Sequence, residues 1–539
     1  MPKLTIDGRE VEVPEGSTVL DAARKLGIEI PTLCFMEGIA PSTSCLLCMV
    51  KLDGERPRLV PSCGTRAQDG MVVQSETDEV HAVRRSALEL LLSDHLGDCI
   101  APCQFACPAE MDIPRMLRAI AAKDFAGALR TVKRDIALPA VLGRICPAPC
   151  ERACRRRPAD GPVGICLLKR FVADVDLGRE EPYLPEREPS SGKRVAILGA
   201  GPAGLAAAYY LQQRGHACTL FDENKEPGGR LLVETTEEEL PRDVLAAEVD
   251  SIARLGAELR ANTRIGGAED FARLRDEHDA VLVACGATGK EQAEAWGLDV
   301  AERGLHAERE TYRTSVEGVF AAGNALRTKG MVIRSLADGK EAAVAIDQLL
   351  RGKSVTGPQK PFSTRIGRLE EEELAQYLRA ASDAPPREPS QGTAAGFTPA
   401  EAVEQAARCM HCDCLGQTDC RLRHWSAVYR ADPRKYKAER RRFEQSRQRS
   451  GVVFEPGKCI DCGLCIEIAR AADEPLGLTF VGRGFDVRVG VPFDESLDAA
   501  LKKVAAECVA ACPTAALAWA EVEQGLPLLR EVQRNAHLH

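Results

Sequence analysis

Between residues 95 and 107 a metal-ligating side chain recurs at every fourth position: His95, Cys99, Cys103 and Cys107, with Pro108 directly after the last. A packed core helix has no use for a thiol on every turn, whereas an iron–sulfur cluster needs several thiolates close together. The chain holds 22 cysteines, of which 20 fall into four groups; Cys218 and Cys285 stand apart. In a short secreted chain such a count would suggest disulfides, but 539 residues that open without a signal-peptide pattern point to metal.

The rest of the composition bounds what carries these groups. Apolar residues make up 45%, enough for several packed cores, and the net charge of −9 argues against a nucleic-acid partner. The apolar run 195–211 is broken by Gly199, Gly201, Pro202 and Gly204, so it does not read as a membrane span. A cytoplasmic protein is expected.

The first group lies behind a short mixed element pattern. LTIDGREVEV (4–13) alternates around Asp7-Gly8 and predicts a hairpin, and Thr18 with Asp21 has the spacing of a capping box for a helix. Cys34, Cys45, Cys48 and Cys63 follow as C-x10-C-x2-C-x14-C, four thiolates for one [2Fe–2S] cluster. The plant-type spacing is different. The segment resembles instead the [2Fe–2S] domain of the iron–sulfur electron-input subunit of respiratory complex I and of related hydrogenase and formate dehydrogenase subunits.

The run from His95 to Cys107 pairs with RICPAPCERACRR, which places Cys146, Cys150 and Cys154 four apart again, and with Cys166 beyond. A helical pattern lies between. This region resembles the helical N-terminal domain of the glutamate synthase small subunit and dihydropyrimidine dehydrogenase, in which two [4Fe–4S] clusters draw on interleaved cysteine sets. The resemblance implies one cluster on Cys99, Cys103 and Cys154, with His95 where the family has a fourth cysteine. It implies a second on Cys107, Cys146, Cys150 and Cys166, the last replacing an atypical ligand. Imidazole in place of thiolate should raise the potential of the first; the alternative for His95 is a supporting hydrogen bond.

Beyond the Pro- and charge-rich linker 179–193, the chain reads as strand, glycine turn, helix and strand. Gly199, Gly201 and Gly204 form G-x-G-x-x-G, with Pro202 and Ala203 opening the helix and Asp222 ending the second strand, where a carboxylate meets ribose hydroxyls. Gly228, Gly229 and Arg230 in EPGGRLL resemble the glycine pair of the same family's flavin domain, and Gly323-Asn324 resembles its closing Gly-Asp. The resemblance implies FAD. The family's inserted nicotinamide-binding domain is missing: only 25 residues separate Thr288 from Thr314, and none form the fingerprint. Cys285 is expected to be a small buried residue on a strand end, with a place near the flavin as the alternative, and Cys218 a core residue.

After a second linker (381–400), Cys409, Cys412, Cys414 and Cys420 crowd into 12 residues, for a [4Fe–4S] cluster or, with His411 or His424, for zinc. The nine Lys and Arg of 430–449 read as a solvated helix. Cys459, Cys462 and Cys465 give C-x2-C-x2-C, and Cys512-Pro513 supplies the fourth ligand of a last [4Fe–4S] site, leaving Cys508 over. This ending, too, resembles the complex I input subunit.

The expected fold is multidomain, α+β and α/β. It comprises a β-grasp-like [2Fe–2S] ferredoxin domain (1–80), a helical domain with two [4Fe–4S] clusters (81–180), a Rossmann-like FAD domain (192–355), a linker and Cys-rich segment (356–450) and a ferredoxin-like [4Fe–4S] domain (451–539). The cofactors implied are one FAD, one [2Fe–2S] and three to four [4Fe–4S]. The expected role is an electron-transfer subunit of an oxidoreductase complex, with an FMN-containing NADH dehydrogenase-type, formate dehydrogenase or hydrogenase partner. Two alternatives remain: a self-sufficient NAD(P)H-dependent oxidoreductase, and a structural iron–sulfur hub with a vestigial flavin site.

Overall fold

The computed structural model describes residues 1–327, 329–379, 381–385, 396–436 and 440–520. The middle of the second expected linker, 386–395, lies outside the described residues, as do 437–439 of the basic run. The chain forms two compact units, both discontinuous in sequence. One comprises Met1–Ile100, Pro361–Arg379 and the described residues from Cys412 onward. The other comprises Ala101–Lys360 and the described part of Ala380–His411.

The first unit begins with a five-stranded mixed sheet ordered Arg9–Glu12, Lys3–Ile6, Val72–Gln74, Met49–Asp53, Arg58–Pro61. Its opening hairpin turns at Asp7 and Gly8, both at positive φ (47° and 78°), the backbone that a two-residue type I′ turn demands. Thr18 and Asp21 close a reciprocal capping box on helix Val19–Lys25, which buries Val19, Leu20, Ala22 and Ala23 under the sheet. At the other end of the unit, Ser446–Arg447, Val452–Phe454 and Leu517–Trp519 form a three-stranded antiparallel sheet. Helices Leu464–Ala471 and Ala505–Ala511 pack together beside it.

The described residues of the basic run do not form the expected helix. Among its described residues the only regular element is the strand Ser446–Arg447. Arg440 binds the buried Glu373, Arg442 pairs with Glu372 and Arg441 with Asp94. Two of these charges are spent on an acidic helix, Glu371–Leu378, some 70 residues earlier.

The second unit joins helices to a parallel sheet. The strands run Val319–Ala321, Ala280–Val283, Arg194–Leu198, Ala217–Phe221, Glu258–Arg260, all parallel. Helices Pro202–Gln213 and Val332–Leu350 cross in contact because Gly339 has no side chain: a Cβ there would fall 2.1 Å from Ala203 O. Between Thr288 and Thr314 stand one short helix, Lys290–Ala295, and a hairpin of two-residue strands, Val300–Ala301 and Gly304–Leu305. That is too little for a βαβ dinucleotide fold.

Helices from residue 102 to 177 pack on the same core as the sheet. Glu248, on helix Arg242–Arg254, accepts hydrogen bonds from Ala140 N (2.8 Å) and Val141 N (2.9 Å), capping the helix that delivers Cys146. Burial pushes the Glu248 carboxyl up to about 7. A raised folded-state pKa means this site favours folding most below the ordinary pKa near 4.5, and the benefit is lost as pH rises through 7. Two and a half pH units correspond to about 3 kcal/mol. In Glu248→Gln that part of the decline between pH 4.5 and 7 is expected to vanish, read as a flatter melting temperature against pH.

Candidate functional site

The glycine fingerprint divides its labour. Gly199 sits at φ 102°, and a Cβ on it would fall 2.6 Å from Ala284 O; one on Gly204 would fall 1.9 Å from Gly199 O. These two are required by the fold. Gly201 has ordinary backbone angles (φ −79°, ψ −178°), and a Cβ there would meet nothing within 4 Å. It faces a cavity of about 590 Å³ at the start of helix Pro202–Gln213, where backbone N–H groups favour a pyrophosphate.

Gly199, Gly201, Pro202, Ala203, Asp222, Gly229, Arg230 and Asn324 all line that cavity. Gly204, Gly228 and Gly323 shape it from behind. Gly228 N donates to Ala200 O, and Gly323, at φ 67°, lies where a Cβ would press on the Ala203 side chain at 2.8 Å. Asp222 is buried; it accepts from Ala200 N at 2.6 Å and from Asn224 N at 2.8 Å, so the acid also braces the glycine turn. Cys285 departs from expectation: it is exposed and lines the cavity, 3.7 Å from Thr288 Oγ1. Cys218 is buried in the core, as its sequence context indicates. Thr263, Trp296 and Ser335 also line the cavity. They carry no motif of their own, and only the fold brings them there.

In the first unit, Cys34 and Cys45 lie 3.3 Å apart, and so do Cys48 and Cys63. Two thiolates on one tetrahedral metal, with bonds of about 2.3 Å, stand about 3.7 Å apart. Two such pairs match a two-iron cluster with two thiolates on each iron. Within each pair one thiol is held down, Cys34 to about 5 and Cys48 to about 7, by the hydrogen bond with its partner. The same contact pushes Cys45 and Cys63 up.

Cys459, Cys462, Cys465 and Cys512 line a small cavity together with Ile460 and Val489. Backbone N–H groups point at two of the sulfurs, Asp461 N at Cys459 Sγ and Leu517 N at Cys512 Sγ, each at 3.4 Å. Cys508 turns into the core, its thiol 3.6 Å from Cys465 O. Burial pushes Cys462 up to about 11, with the charges of Cys512 and Cys34 adding to it. Cys34, Cys45, Cys420 and Cys462 share one apolar cluster.

In the second unit, Cys107, Cys146, Cys150 and Cys166 surround Lys169. The Cys146 and Cys150 thiols both act on that of Cys166, and Cys107 feels the charge of Cys146. Lys169 Nζ lies 3.9 Å from Cys166 Sγ. Burial opposes its charge, but the four thiols outweigh burial and hold its pKa above the lysine range.

The remaining ligand candidates fall on both sides of the division between units. Cys103, Cys154 and Cys409 pack on the second unit's core. Arg408 carries Cys409 there: fully buried, it donates to Pro162 O, Asp160 O and Gly161 O and lies beside Cys154. His95 and Cys99 belong to the first unit, as do Cys412, Cys414 and Cys420. The unit boundary falls between Ile100 and Ala101 and again between His411 and Cys412, which assigns Cys99 to the first unit and Cys103 and Cys154 to the second.

Residues 2–78 match a 2Fe-2S iron-sulfur cluster binding domain, and residues 94–181 match dihydropyrimidine dehydrogenase domain II, 4Fe-4S cluster. Residues 197–246 match an NAD(P)-binding Rossmann-like domain. The NADP(+)-dependent formate dehydrogenase subunit beta of Moorella thermoacetica is 40% identical over 207 residues, 34% of this chain and 29% of that protein. The chain is a relative of oxidoreductase subunits. The NADPH-Fe(3+) oxidoreductase subunit beta of Geobacter sulfurreducens is 37% identical over 207 residues, 38% of this chain and 31% of that protein. The NAD-dependent dihydropyrimidine dehydrogenase subunit PreT of Salmonella typhimurium is 35% identical over 212 residues, 39% of this chain and 49% of that protein. The chain therefore spans less than two thirds of each. Among the described residues no helix is long and apolar enough to cross a membrane.

Proposed function

We propose that the chain is an FAD- and iron–sulfur-containing electron-transfer subunit of an oxidoreductase complex. The observation that carries this reading is a single core in the second unit, which holds both a glycine-lined dinucleotide cavity and four thiols gathered around a buried lysine. FAD is favoured over a nicotinamide because the Gly228-Gly229 turn and Gly323-Asn324 close on the same cavity as the glycine fingerprint. A flavin exchanges a hydride with a two-electron partner or single electrons with clusters.

The chain's residues supply the setting for that exchange. Gly201 and the helix start would hold the pyrophosphate, and Asn324 would stand near the flavin's sugar chain as a neutral hydrogen-bonding group. Cys34, Cys45, Cys48 and Cys63 would hold a [2Fe–2S] cluster. Cys107, Cys146, Cys150 and Cys166 would hold a [4Fe–4S] cluster, and Cys459, Cys462, Cys465 and Cys512 another. Cys34 and Cys462 share an apolar cluster and the charge of Cys34 reaches Cys462, which supports single-electron passage between these two sites of the first unit. The proposed partner is a catalytic subunit of formate dehydrogenase, hydrogenase or NADH dehydrogenase type, which would handle the substrate.

Lys169 is a buried positive charge beside one of these sites, 3.9 Å from Cys166 Sγ. Lys169→Met is expected to lower the midpoint potential of that cluster by on the order of 50–100 mV, since one charge a few ångströms away is worth about 1–3 kcal/mol. A redox titration followed by electron paramagnetic resonance reads the shift.

The reading is tested anaerobically on the flavin-loaded chain. NADH or NADPH alone should leave the flavin absorbance unchanged, while dithionite should bleach it fully. Rapid bleaching by either nucleotide would make the chain a self-sufficient NAD(P)H oxidoreductase instead.

A further inference from the structure

Further ligand candidates lie in the first unit outside the [2Fe–2S] and C-terminal sets, and four of them, His95, Cys99, Cys414 and Cys420, are tied to one another by their surroundings. His95 and Cys99 lie on the loop after helix Asp78–Ser93, and this loop is pinned in two places. Leu96 N donates to Gly457 O at 2.6 Å, and Ile366 N to Asp98 Oδ1 at 3.0 Å. Thr364 Oγ1 stands 3.3 Å from Cys99 Sγ and donates to Gly97 O at 2.7 Å. The segment Pro361–Arg379 thereby holds Cys99 in place from outside its own run.

Lys458 brings the other side in. It is buried, its Nζ lies 3.5 Å from Cys414 Sγ, and it pairs with Glu455. Its stem runs beside the loop: a methyl on Gly97 would fall 3.0 Å from Lys458 Cε and 3.2 Å from His95 Nε2. Cys420 caps helix Arg421–Val428, accepting from Arg423 N at 3.4 Å, and is fixed by Leu422 N donating to Pro513 O at 3.1 Å. Cys99, Cys414 and Cys420 are all buried, and each of the last two feels the charge of Cys99. His95 Nδ1 is buried with no hydrogen-bond partner among the described residues.

We propose that His95, Cys99, Cys414 and Cys420 hold a separate [4Fe–4S] cluster within the first unit, with Lys458 as the buried cation beside it. A zinc site has the same donor types, but its ligands must converge on one ion, and among the described residues no three His, Cys, Asp or Glu side chains do so. A cubane places each ligand on a different iron, so its donors surround a body and do not meet at a point. The assignment rests on reading the chain as an iron–sulfur protein. It departs from the family's arrangement, since Cys99 leaves its neighbours Cys103 and Cys107 for thiols more than 300 residues away.

The test uses the full chain, reconstituted anaerobically, with iron and zinc counted and clusters followed by electron paramagnetic resonance. Cys99→Ser, Cys414→Ser and Cys420→Ser should each lose about four irons and the same resonance signal. The [2Fe–2S] signal and the flavin absorbance should persist as the check on folding. His95→Cys should keep the iron and lower the midpoint potential of that one signal, because thiolate is more negative than imidazole. Different signals lost in Cys99→Ser and Cys414→Ser would overturn the grouping. So would zinc lost in place of iron, or His95→Cys with every potential unmoved. A wild-type chain with no [4Fe–4S] signal at all would instead overturn the iron–sulfur reading itself.

Discussion

Gly201→Val is expected to lower bound flavin more than tenfold while the chain melts at nearly the wild-type temperature. The residue has backbone angles any amino acid adopts, and a Cβ on it meets no protein atom, so valine disturbs neither strand nor helix. Its methyl groups would occupy the space at the helix start that the proposed dinucleotide's pyrophosphate would need, removing close backbone contact. Tenfold is about 1.4 kcal/mol, a modest demand for a clash at that point. Gly204→Val makes the contrast, since its Cβ would collide with Gly199 O, and loss of flavin should there come with loss of the folded second unit. Flavin absorbance after gel filtration, paired with thermal melting, separates the two. Retention of flavin in Gly201→Val would sink the cavity as the dinucleotide site.

Cys48→Ser is the second large effect. Serine leaves one thiol, Cys63, without its partner at 3.3 Å and removes one of four anchors that tie the loop of Cys34 to the strand ends at Cys48 and Cys63. Iron should fall by about two per chain, with the [2Fe–2S] signal gone. A metal centre that bridges separated segments contributes its binding energy to folding, so the first unit should also melt earlier. Flavin content should not change, because the cavity belongs wholly to the second unit. Iron analysis and visible absorbance on one sample measure both.

Much of this was legible in local sequence. Asp7-Gly8, the Thr18–Asp21 box, the glycine fingerprint and the Cys459–Cys465 step each state their geometry within a few residues, because turn angles, capping and ligand spacing are short-range matters. The cysteine run from 99 to 107 was harder. Its four-residue step says which side chains share a helix face or loop, but not which distant segment returns to meet them. The charge of Cys99 reaches Cys414 and Cys420, while Cys107 feels that of Cys146. The basic run misled for the same reason: its counter-charges, Glu372 and Glu373, are remote in sequence, so a solvated helix was the natural expectation. Cys285 sits at a strand end, where burial is the usual outcome. Its place on the cavity wall accounts for its exposure.

The discontinuity of the first unit sets a schedule for the newborn chain. Its opening hundred residues emerge from the ribosome long before Cys412, about 310 residues later, which at roughly 5–20 residues per second is about 15 to 60 s. For that interval the four thiols from Cys34 to Cys63 are complete and can be loaded, while Cys99 has yet to meet Cys414 and Cys420. The second unit interrupts the first and has time to form around its own ligands before the gap closes. Cofactor delivery to this protein is therefore expected to be staged, early for the amino-terminal cluster and late for any site that waits on the returning strand of chain.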